Sequence, residues 1–182
     1  MKIEATQLTT LRGELHGALQ ELCDPVGRDR NLWPQGPSGK WAAGQVVEHV
    51  ALTLGLFADA LEANEQQLRR GTLRRRPWRD PLQTWFVSVV SSPRGFPRGG
   101  RAPRSVQPAE LPTQERTLER IERERSRFDV LIERLTVPEA DRLWIHNPFV
   151  TIWHYTFPET VRVQANHARH HARQVAAIAA AS

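Results

Sequence analysis

Three histidines fall within five positions of the stretch NHARHHARQ, at His167, His170 and His171. Neighbouring imidazoles repel once protonated, so such a run asks for a partner that keeps them neutral. His167 and His171 are four residues apart, which stacks two side chains on one face of a helix, one turn apart. Two imidazoles placed in this way can hold one metal ion. His170 lies about 100° around the axis from His171 and does not easily share that ion. Two protein ligands hold a zinc-like ion weakly, and catalytic zinc sites use three while leaving one position open. The third must come from another helix. His49 is the best candidate, set between Val46 and Val50 where an unpaired imidazole is awkward to bury. The blander alternatives are a solvated basic helix end for the pair and, for His49, a core histidine bonded to a backbone carbonyl. Spacing alone leaves both open.

Helices must position these residues. Leu8, Leu11, Leu15, Leu19 and Leu22 recur at three- and four-residue steps and predict a helix over 3–23. The proline- and glycine-rich stretch CDPVGRDRNLWPQGPSGKW then reads as a loop. A second helix follows Trp41, with Val46, Val50, Leu54, Phe57 and Leu61 on one face and Gly71 as its stop signal. A long irregular connection, residues 72–112, comes next. It holds a short helix capped by Asp80 with Pro81 in the first turn, and PRGFPRGGRAPRSVQP, which reads as having no regular structure. A third long helix is expected over 113–136 on the spacing of Leu118, Ile121, Phe128, Ile132 and Leu135. After a loop, VPEADRLWIHNPFVTIWHY, the fourth begins at TFPE. There Thr156 and Glu159 have capping-box spacing, and the helix runs to about Ala180. No segment of useful length shows strand periodicity. The expected fold is all-α, a four-helix bundle, in a single domain over 1–182.

The bulk properties agree. A chain of 182 residues with 40% hydrophobic and 25% charged residues suits one soluble core. The apolar runs are too short to span a membrane, the N-terminus lacks an apolar signal core, and the chain reads as cytoplasmic. Cys23 is the only cysteine, which excludes an internal disulfide and offers no cysteine metal motif. The net charge is +5 and almost entirely arginine, with lysine only at Lys2 and Lys40. Residues 69–104 carry ten arginines against one acid, Asp80, with Trp78 and Phe96 available for stacking. Nucleic acid is one reading of that segment; a solvated loop in an arginine-biased chain is the favoured one. The tryptophans are expected to pack in the core, with Trp144 and Trp153 walling a pocket.

The order of motifs resembles that of the DinB/YfiT-like superfamily of bacterial four-helix proteins. The resemblance rests on KWAAGQVVEHV at the head of the second helix, RAPRSVQP before the third, HNPFVTI before the fourth and HARHHARQV within it. It implies a four-helix bundle binding a divalent metal through one histidine of the second helix and the H-x3-H pair of the fourth. In this sequence those are His49, His167 and His171, while His170 matches a family histidine that is not a usual ligand. Two departures stand out. Ala42 replaces the serine that often follows the tryptophan, so the second helix must be capped otherwise. HNPFVT replaces a His-Pro and a glycine, so His146 sits in a drifted motif.

Three neutral imidazoles leave a bound dication's charge unneutralised, which makes a good Lewis acid for a bound water or thiol. The resemblance implies zinc or nickel, with zinc favoured, and a three-histidine donor set also suits iron or copper. The resemblance also implies a low-molecular-weight thiol as co-substrate of a thiol S-transferase or hydrolase acting on a small molecule, and possible homodimers. A non-catalytic metal-binding or dimerisation module is the alternative from another class. Glu48 is expected to be a surface charge. His146, His154 and His170 are candidate proton carriers, with loop and surface histidines as the favoured reading.

Overall fold

The computed structural model describes residues 4–92, 102–108 and 110–181. Four long helices carry the fold: α1 (Ala5–Arg28), α2 (Ala43–Arg69), α4 (Gln114–Arg134) and α6 (Phe157–Ala179). Between them lie two shorter helices, α3 (Pro81–Val90) and α5 (Val137–Arg142), and a hairpin of β1 (Trp144–His146) and β2 (His154–Thr156). α1 packs on α6 and α4, and α2 packs on the same two. α1 and α2 thus stand at opposite corners of the bundle. Its interior is filled by Leu11, Leu15 and Leu22 of α1, Val50 and Leu54 of α2, Phe128 of α4 and Val161 of α6, all fully buried. The expected all-α four-helix architecture is what forms.

α1 runs past the expected stop at Cys23 and takes Pro25 into its last turn. Pro25 removes one backbone donor, but continuing the helix buries Val26 completely. Val26 is the next step of the Leu15, Leu19, Leu22 stripe, and that burial decides the boundary. At the other end of the loop, the first turn of α2 is capped without a serine. Gln45 Oε1 accepts from the Ala42 N–H at 3.0 Å. The N–H groups of Ala43 and Gly44 donate to the carbonyls of Gln35 and Trp33 at 2.8 and 2.9 Å. A Cβ on Gly44 would run into the Trp33 indole, whose Nε1 donates to the Pro112 carbonyl at 2.7 Å. Glycine here lets the loop lie directly on the helix start.

α2 ends as its glycine predicts. Gly71 has φ +71, its N–H donates to Leu68 O at 3.1 Å, and the Thr72 N–H donates to Gln67 O at 2.9 Å, the two bonds of a Schellman motif. α3 forms where Asp80 and Pro81 place it, with Asp80 accepting from the Gln83 N–H at 2.7 Å. The arginine-rich stretch after it is not wholly irregular, since Arg104–Val106 makes one 3-10 turn. Residues 93–101, including Phe96, lie outside the described residues.

The expected loop before the last helix contains more structure than its sequence suggests. α5 opens on TVPE and α6 on TFPE, and each uses the same capping box: Thr136 with Glu139, and Thr156 with Glu159. The hairpin pairs Ile145 with Tyr155 and buries both. Asn147 closes it, accepting from the N–H groups of Phe149 and Val150 and donating to the Tyr155 hydroxyl at 2.9 Å. With three residues per strand, no alternation is long enough to read.

Charged side chains link the helices at the periphery. Arg127 of α4 reaches Glu62 and Asp59 of α2, each at 2.6 Å. Asp129 of α4 accepts from Arg12 of α1 at 3.1 Å and lies 2.7 Å from His16 Nε2. Glu48, expected at the surface, is buried. It accepts from the Thr117 hydroxyl at 2.7 Å and pairs with Arg120 at 3.3 Å, because its face of α2 is the one that α4 covers.

Candidate metal centre

α2 and α6 pack together, and the contact brings the three predicted residues to one point. His49, His167 and His171 are all buried, and one nitrogen from each lies within 4.8 Å of the others. His167 Nε2 stands 3.2 Å from His49 Nε2 and 3.0 Å from His171 Nε2. The rings meet edge to face, with centroids 4.5 to 5.0 Å apart. Tetrahedral zinc with Zn–N bonds of about 2.0–2.1 Å sets its nitrogens roughly 3.3 Å apart, so the cluster is close to the size such an ion needs.

Hydrogen bonds on the far side of two rings fix where their lone pairs point. His49 Nδ1 donates to the Val106 carbonyl at 2.7 Å. His171 Nδ1 donates to Gln174 Oε1 at 2.8 Å. A neutral imidazole that donates through Nδ1 presents Nε2 as an acceptor. Two lone pairs therefore face His167 Nε2, and a proton on that nitrogen can satisfy only one of them. A cation at the centre satisfies every nitrogen that faces it, so this donor set fits a divalent ion.

Electrostatics hold the rings in the ligating form. Burial, before any other cause, pulls His49 below its ordinary 6.5 against the opposing bond to Val106. His167 lies well below 6.5, through burial first and then the neighbouring His171 and His49. His171 falls to about 3, again mainly by burial and next by His49, with Gln174 pulling the other way. All three are neutral at neutral pH, as metal ligation requires.

The remaining expected residues fall elsewhere. His170 is half-buried and stands outside the triad, its ring 5.0 Å from His171. The Gln174 amide nitrogen lies 3.5 Å from His170 Nε2, so His170 touches the outer side of the centre through Gln174. His146 is exposed and stacks edge-on against Trp144 at 5.0 Å. His154, expected near the surface, is 1% exposed. Its Nδ1 accepts from Gln83 Nε2 at 3.0 Å, and its ring meets Trp144 at 5.7 Å. Burial and then the Arg79 charge lower it to about 4. Trp144 thus serves the hairpin, and the tryptophan against the triad is Trp41, 5.0 Å from His49. Asn166, next to His167, anchors the end of α3 through the carbonyls of Val90 and Ser92 at 3.2 and 2.9 Å. Sequence reasoning singled out neither the Val106 carbonyl nor the bonding role of Gln174. RAPRSVQP entered only as a motif, and a carbonyl partner for His49 only as a rival to ligation.

No curated protein and no solved structure matches the chain significantly. The family model described as the DinB superfamily matches residues 7–175, a span holding the three histidines, all of α2 and most of α6, and the chain belongs to the DinB superfamily.

Proposed function

We propose that the protein is a metal-dependent enzyme. In this reading His49, His167 and His171 hold one divalent ion, zinc first and nickel or iron as alternatives. The site activates a small-molecule thiol or a water, in the manner of a thiol S-transferase or a hydrolase. The observation that supports it is the convergence of three buried, neutral imidazole nitrogens from two helices on one point. An ion in that place supplies Lewis acidity that brings the pKa of a bound water or thiol toward neutrality.

The chain's own residues do the rest. The Val106 carbonyl and Gln174 hold two rings in the tautomer that aims Nε2 inward, and such outer partners raise ligand basicity and fix orientation. Trp41 covers one side of His49 and limits water there. Cys23 does not compete as a nucleophile: burial and the neighbouring Asp24 push its thiol up to about 12, so it stays protonated and weakly reactive. A thiol reaction at this centre takes its sulfur from a low-molecular-weight thiol, with the small-molecule electrophile as second substrate.

The test is a turnover screen of metal-loaded protein with paired thiols and electrophiles and with hydrolysable esters, run beside His49→Ala. Activity in the wild type that His49→Ala loses supports the enzyme. A loaded protein that turns over none of them leaves the non-catalytic metal-binding module in its place.

A further inference from the structure

Trp78, Leu82, Trp85 and Ile152 are 84, 65, 61 and 79% exposed. For Trp78 and Trp85 this overturns the expectation of core packing. These side chains belong to one region. Leu82 and Trp85 are three apart on α3, on neighbouring positions of one face, and Trp78 stands two residues before the cap of that helix, Asp80. Phe86 stacks on Trp153 at 4.2 Å, which sets the α3 face beside Ile152 at the tip of the hairpin. Arg79 fastens the segment there, donating to Glu159 at 2.7 Å and to the His154 carbonyl at 2.9 Å.

The same segment is strongly basic. Arg70, Arg74, Arg75 and Arg76 are exposed, and none of them makes an ion pair among the described residues. The one acid in the stretch, Asp80, is occupied in capping α3. The partner of such a face is anionic and buries aliphatic as well as aromatic side chains. A second copy in an isologous contact would set these arginines against their own equivalents. A single nucleic-acid strand would use the tryptophans for stacking, but Leu82 and Ile152 offer its bases no π-face. A lipid surface uses every part: tryptophan at the headgroup level, leucine and isoleucine at the acyl boundary, arginine on the phosphates.

We propose that Trp78, the outer face of α3 and the hairpin tip dock the protein peripherally on an anionic phospholipid bilayer. This is surface attachment, since among the described residues no helix is long and apolar enough to cross a membrane. It stands independently of the metal centre.

The test is co-sedimentation of the full-length protein with vesicles of phosphatidylcholine alone and of phosphatidylcholine mixed with phosphatidylglycerol, over a salt series. The expected result is partition onto the mixed vesicles that weakens as salt rises. The variant Arg74→Glu/Arg75→Glu/Arg76→Glu should lose about a hundredfold or more in partition. Trp78→Ala/Trp85→Ala should lose about tenfold or more, and its replaced side chains are exposed, so it keeps the test decisive if the charge-reversed variant fails to fold. No partition onto mixed vesicles overturns the proposal, and so does equal partition onto neutral ones. Salt-dependent binding of a single-stranded oligonucleotide in place of vesicles would make nucleic acid the occupant and overturn it. A dimer that buries Trp78 in solution, without vesicle binding, would do the same.

Discussion

A ring nitrogen that donates to a carbonyl decides which way the other nitrogen's lone pair points. His49 does this through Val106 O and His171 through Gln174 Oε1. Removing such an outer partner costs about 10- to 100-fold in metal affinity in comparable sites. Gln174→Ala is therefore expected to weaken zinc binding by about that factor, read by competition with a chromophoric chelator, while the fold stays intact. Unchanged affinity would remove Gln174 from the site. The three inner histidines were legible because helical spacing and apolar neighbours are local facts. For His49 the rival readings turned out to be compatible, since one nitrogen bonds a carbonyl while the other faces the cluster. The carbonyl comes from 57 residues away, and no spacing rule reaches it. His154 and Glu48 were misread for a related reason: a hairpin buries one and the face of α4 buries the other, and neither burial is visible in their immediate neighbours.

The helices that present the site depend on particular junctions. Trp33 lies on Gly44 at the start of α2, five residues before His49. Gly44→Ala should force the indole away and destabilise the protein by about 1–3 kcal/mol, the usual cost of overpacking. Urea unfolding of the metal-free protein measures it, and a neutral result would mean that the loop yields freely. Thr156→Ala should cost about 1 kcal/mol through loss of the α6 cap. The long helices were readable because their apolar stripes run for many turns. α5 carries TVPE, the same signature as TFPE, but its six residues are too few for an apolar stripe to show beside the cap. The end of α1 was missed because proline is a local stop signal, whereas Val26 is held by burial in the whole bundle.

Across the whole molecule, protonation and metal should shift stability in opposite directions. The folded chain keeps His154 at about 4 instead of the ordinary 6.5. Between these values the unfolded chain takes up a proton that the folded chain refuses. The stability contributed by the neutral buried ring is present above 6.5 and is lost as the pH falls toward 4. Comparing unfolding midpoints at about pH 7 and about pH 4.5, His154→Gln should show a smaller acid-induced loss than the wild type, and an equal loss would assign the effect to other groups. Metal acts the other way. An ion bound only by the folded state, at a free concentration of about 100 times its Kd, adds about 2.7 kcal/mol. Zinc should accordingly raise the melting temperature of the wild type and leave that of His171→Ala nearly unchanged.

The chemistry of this chain turns on whether the three histidines hold a metal. Elemental analysis of protein purified without chelator asks this directly, beside His167→Ala prepared in the same way. The wild type is predicted to carry a single divalent ion per chain, and the variant to lose it. A metal-free wild type that also fails to take up added zinc, or a His167→Ala protein that keeps the full complement, would contradict the account.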